Sequence, residues 1–237
     1  MADSRAAEFL QVARELEERD LELAARIEGV SVLLREVDGL KERATRVRHG
    51  LEEIPGEIHQ AEVDERDARV REAAALEELD AAQRAHDDVH ASRKATEDAK
   101  ERADRAVIRA EVAAADATTS VMRTRSRLED AVREEAVLRS EAEGLEVEAR
   151  ELARQVAEEP RLSESGRTVP GKKLPNIEEW AARAHAALFV VRGGLDSERE
   201  RLVLEANALA AVALGDHGGG SSVSLVRQRI EETQSEG

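Results

Sequence analysis

"EIPGEI", Glu53 to Ile58, is the stretch on which the reading of this fold turns. It closes a regular pattern. Upstream, apolar residues recur every seven positions at Phe9, Leu16, Leu23, Val30, Val37, Ala44, Leu51 and Ile58. A second series follows three residues behind, at Val12, Arg19, Arg26, Leu33, Leu40, Val47 and Ile54. These are the a and d positions of a coiled-coil heptad, broken only by Arg19 and Arg26. Asp3 or Ser4 is placed to cap the start of the helix. Pro55 removes a backbone donor and Gly56 brings a permissive backbone, so the pair predicts that the helix stops and the chain reverses at 54–57.

Beyond that point no proline occurs before Pro160, and Gly144 is the one glycine, which predicts a long second helix. Its a series runs Leu79, His86, Arg93, Lys100, Val107, Ala114, Val121, Leu128, Glu135, Ala142, Ala149 and Val156. Its d series runs Ala68, Ala75, Ala82, Val89, Thr96, Ala103, Ala110, Ala117, Thr124, Ala131, Leu138, Leu145 and Leu152. Folding the chain at Gly56 pairs residues whose numbers sum to 112. Leu33 then meets Leu79, Arg26 meets His86, Arg19 meets Arg93 and Val12 meets Lys100. In the other layer Phe9, Leu16, Leu23, Val30 and Val37 face Ala103, Thr96, Val89, Ala82 and Ala75, large against mostly small, as close antiparallel packing requires.

The expected fold is all-α: a long antiparallel coiled-coil hairpin over 1–107 with its apex near 54–57, the second helix continuing over 108–160. A loop rich in Pro, Gly and Ser follows at 161–175. Residues 176–214 read as a helix, or a helix pair divided at Gly193-Gly194, capped by Asn176 and packed on the distal half of the second helix. Residues 215–222 read as a flexible linker, and 223–237 as a short amphipathic terminal helix.

Composition narrows the function classes. Of 237 residues 37% are charged, the net charge is −16, and the aromatics are Phe9, Trp180 and Phe189 alone. Such a chain with a seven-residue apolar period signals long helices rather than an ordinary globule. The acidic balance and the lack of a basic stripe argue against nucleic acid and anionic membrane. No apolar run approaches membrane-spanning length, so no membrane insertion is expected. No cysteine is present, which excludes disulfides and thiolate zinc sites. The N-terminus shows no signal peptide, and a cytoplasmic location is expected.

Three motifs invite chemistry. "HDDVH", His86 to His90, sets two histidines on one helix face, close to the H-E-x-x-H zinc signature with Asp87 in the glutamate position. No third ligand or pocket is evident, so it reads as a polar interruption of the seam, and neither metal nor cofactor is expected. "GRTVPGKK", Gly166 to Lys173, satisfies G-x-x-x-x-G-K, but Lys173 replaces the closing Ser or Thr and no strand precedes it. It reads as a locally basic connector. The terminal segment carries Leu225, Val226 and Ile230 beside Arg227 and Arg229, a small apolar face suited to a partner's groove or to its own domain.

In outline the expected hairpin is similar to bacterial anti-sigma hairpins that bind cyclic di-GMP through E-x3-S-x2-R-x3-Q-x3-D. The nearest string, Asp116, Ser120, Arg123, Arg127 and Ala131, departs from that motif at three of five positions and occurs once, so that function is not carried over.

The leading expectation is a non-enzymatic scaffold or regulatory protein that binds protein partners. Its contacts would be the uncovered seam Val107, Val121, Leu128, Leu138, Leu145 and Leu152 with Leu225, Val226 and Ile230 of the terminal helix. A homodimer is one way to cover that seam. The alternative is a regulator gated by a small anionic molecule held by Arg19, Arg26, Arg93 and Lys100, with Arg167, Lys172 and Lys173 as a second basic group.

Overall fold

The computed structural model describes residues 2–162, 170–214 and 222–235. Among these it contains four helices and no strand: α1 (Ala2–Ala91), α2 (Glu97–Glu158), α3 (Leu174–Leu214) and α4 (Val223–Ser235). The all-α hairpin expected from the heptads is present, but its apex lies elsewhere.

Pro55 lies inside α1, which continues for another thirty-six residues to Ala91. The expected reversal at 54–57 is therefore corrected. Pro55 and Gly56 are exposed while Ile54 is buried, so the proline occupies the solvent side of a helix whose apolar face continues past it. One backbone hydrogen bond is forgone, and burial on the opposite face offsets it. The chain reverses instead at 92–96, a segment with neither Pro nor Gly. There the Ser92 amide donates to the Val89 carbonyl at 3.2 Å and the Ala95 amide to the Ser92 carbonyl at 3.2 Å. Thr96 caps α2 by accepting the Ala99 amide on its hydroxyl at 3.3 Å, and Glu97 and Asp98 fill the positive first turn. Leu33 and Leu79 consequently lie on the same helix, and none of the pairs summing to 112 is made.

The chain forms two compact units, residues 1–45 with 144–237 and residues 46–143. In the first, α1 and the end of α2 run antiparallel. Arg43 bridges Glu148, its Nη1 donating to Oε2 at 2.9 Å, and Arg26 donates to Glu159 at 2.7 Å. Helix α3 completes this core with Ile177, Trp180, Ala184, Leu188 and Leu195, all fully buried, as are Val30, Val37, Leu40, Ala149 and Val156 of the same unit. Each such leucine or valine contributes about 1.5–3 kcal/mol. Pro175 stands in the first turn of α3, where its missing donor costs nothing, so the helix starts at Leu174 rather than at Asn176. Gly193-Gly194 leave α3 unbroken, because Val191 and Leu195 hold the same buried face on either side.

The second unit is a two-helix hairpin. The low-exposure positions on α1 include Ala68, Ala75, Leu79, Ala82 and Val89, and on α2 Ala103, Val107, Ala110, Ala114, Ala117, Val121 and Leu128. These are heptad positions read from the sequence, now facing different partners. Gly50 lies close against the returning helix: a Cβ there would stand 3.0 Å from Leu138 Cδ1.

Candidate interaction face and histidine cluster

The expected contact seam divides between the units. Leu145 and Leu152 are buried in the core of the first unit, and Val226 and Ile230 are buried as α4 folds back. For Val226 and Ile230 this is the docking onto their own domain that was one of two expectations, and Leu145 and Leu152 are covered within the first unit. Leu225 stays about half exposed, and α4 is fastened by Arg227 to Glu17 at 2.9 Å and by Glu231 to Arg14 at 3.5 Å. Val107, Val121, Leu128 and Leu138 are half-buried along the two-helix seam of the second unit.

Apolar surface concentrates on α3 instead. Phe189, Val190, Leu204 and Val212 are 65%, 73%, 68% and 72% exposed. At about 100° per residue they fall within one sector of about 140°, opposite the stripe from Ile177 to Leu202 that fills the core. Helix α3 thus carries exposed apolar residues opposite its buried stripe, interspersed with the exposed Glu179, Arg183, Glu200 and Arg201. An open groove of about 710 Å³ beside Leu204 and Val203 is rimmed by Asp20, Asp196, Arg199 and Glu200. Asp20 and Arg199 are bonded to each other at 2.7 Å, and this contact holds the Arg199 guanidinium above its ordinary pKa. That leaves the rim net acidic. The sequence signal for this face was available: "ALFVV", Ala187 to Val191, places too many apolar residues together for one helical stripe.

The candidate anion-binding residues are divided between the two units. Arg19 and Arg26 line a groove of about 310 Å³ with Arg201, but Glu22, Glu198 and Glu205 line it too, so it carries no net positive charge. Arg26 is already engaged by Glu159. Arg93 and Lys100 belong to the other unit; Arg93 is exposed in the turn and Lys100 bonds Glu97 at 2.8 Å, which holds the Glu97 carboxyl below its usual range. Lys172 and Lys173 are exposed ahead of α3, and Arg167 lies outside the described residues.

The "HDDVH" motif gains a partner that its own helix does not supply. His86 Nε2 and His90 Nε2 each lie 3.0 Å from Asp104 Oδ1, contributed by α2 across the turn. His86 Nδ1 lies 3.1 Å from Asp87 Oδ1. The imidazole rings approach to 4.3 Å between centroids with a 30° tilt, so both converge on one oxygen. The His86 imidazole is held above the usual histidine pKa, first by its bond to Asp87 and then by Asp104, with partial burial opposing. With the reversal placed at 54–57, Asp104 stood far from this pair; with the reversal at 92–96 it is the nearest carboxylate of the returning helix.

No helix among the described residues is long and apolar enough to cross a membrane. Comparison with models of protein families, with curated proteins and with solved structures finds no match.

Proposed function

We propose that this protein is a non-enzymatic helical scaffold or regulator that acts by binding another protein through the outer face of α3. The observation that carries this reading is the second apolar stripe, Phe189, Val190, Leu204 and Val212, on a helix whose first stripe is already buried. Large apolar side chains left exposed together on one helix face mark a surface that a partner covers. The occupant is an amphipathic helix that interleaves apolar and basic residues. Asp196 and Glu200 beside Leu204, within a chain of net charge −16, favour such a partner over a second copy of the same acidic chain.

A photo-crosslinking amino acid in place of Phe189, in the full chain in its native host, tests this. The expected product joins Phe189's position to a basic amphipathic segment of another protein, and Leu204→Asp abolishes it. Cross-links to the chain's own copies, or to an acidic segment, overturn the proposal.

A further inference from the structure

We propose that His86, His90 and Asp104 form a binding site for one divalent first-row transition ion of the zinc class, which ties α1 to α2 beside the turn. The donor set is the first reason. Histidines four apart on a helix present their Nε2 atoms to the same side, and Asp104 brings an oxygen from the opposing helix. The three candidate ligand atoms all lie within 4.8 Å of one another. A zinc ion with bonds of about 2.0–2.1 Å separates tetrahedral ligands by about 3.3 Å. The Nε2–Oδ1 separations of 3.0 Å need open by only a few tenths of an ångström to admit it.

The surroundings are the second reason. The Asp87 carboxylate accepts from His86 Nδ1, which fixes the proton there and turns the Nε2 lone pair toward the site. Two imidazole nitrogens and one carboxylate oxygen converging at 3.0 Å form the neutral-nitrogen and anionic-oxygen donor set that a single divalent cation takes once the Nε2 atoms are deprotonated. Chemistry selects the ion. Two imidazoles suit zinc, cobalt, nickel or copper(II), whereas the hard calcium ion requires six or more oxygens. The histidine side chains are 33% and 38% exposed and Asp104 49%, which leaves remaining coordination positions to water. Loop closure from His90 to Asp104 makes the ion a clip on the hairpin end.

Full-length protein, freed of metal by a chelator, is titrated with zinc chloride by calorimetry, with calcium chloride in parallel. The expected result is one zinc per chain and no calcium uptake, weakened at least tenfold in His90→Ala and in Asp104→Ala. All three ligand residues are partly exposed, so these variants keep their helicity, which circular dichroism verifies. Histidine side-chain nitrogen NMR of the unaltered protein gives a mutation-free readout: zinc shifts Nε2 of His86 and His90 together. No stoichiometric zinc uptake, uptake unchanged in both variants, or shifts confined to His49, His59 or His185 overturns the site.

Discussion

Replacing Pro55 and Gly56 with alanine stabilises the protein if α1 is continuous and destabilises it if the chain reverses there. In a helix interior proline is about 3 kcal/mol less favourable than alanine, and glycine about 1 kcal/mol less favourable. Gly56 has nothing within 4 Å of where a Cβ would stand, and both positions are exposed, so neither alanine meets a clash. Part of the proline cost is already relaxed in the native helix, which leaves an expected gain of about 2–3 kcal/mol for the double substitution. Urea unfolding followed by circular dichroism at the helix band measures it. A spectroscopic ruler gives the same decision by geometry. The chain has no cysteine, so paired cysteines at Arg46 and Arg66 carry spin labels only where intended. On one helix these positions, twenty residues apart, are about 30 Å apart at 1.5 Å per residue. In a hairpin folded at Gly56 they face each other at about 10 Å. A short distance, or a loss of stability in the alanine variant, refutes the continuous helix.

Further outcomes follow from the cores. Leu188→Ala lowers the stability of the first unit by about 2–5 kcal/mol, read from the fluorescence of the buried Trp180, whereas Phe189→Ser changes it by less than about 0.5 kcal/mol. Gly39→Ala, with open space at its Cβ, stabilises by about 1 kcal/mol, and Gly50→Ala gains less because Leu138 must give way; urea midpoints compare them. Glu97 is held deprotonated by Lys100, so its support of the α2 start is present above the ordinary carboxylate range and is lost as pH falls through its lowered pKa. Lys100→Met returns the Glu97 titration, followed by carboxyl NMR, toward its ordinary value.

The heptads identified which residues of α1 and α2 turn inward, and they could not say against what. Ala68, Ala75 and Ala82 are low in exposure as their positions require, yet they face the returning α2 and not Val30 or Val37. Pro55-Gly56 is the stronger breaker signal in the sequence, yet the chain reverses before the cap at Thr96. A single proline on the wet side of a long amphipathic helix costs one bond, whereas Thr96 with Glu97 and Asp98 begins a helix without needing any breaker before it. Asp104 as a neighbour of His86 and His90 was illegible for the same reason. Helix α4 was legible as an amphipathic segment, but its docking depended on Glu17 and Glu231 positions that only the fold brings near Arg227 and Arg14.

The alanines of the two-helix unit have a consequence for motion. Ala103, Ala110 and Ala117 on one helix, and Ala68, Ala75 and Ala82 on the other, repeat every seven residues. Sliding one helix past the other by about 10.5 Å, seven residues at 1.5 Å, returns these small residues to equivalent heptad positions. Such a track is nearly periodic and does little to choose a register. The choice falls on the short turn at 92–96 and on two side-chain stops: the notch at Gly50 that receives Leu138, and the histidine pair at Asp104. Filling the notch or loosening the grip leaves the track intact and the turn as its remaining stop.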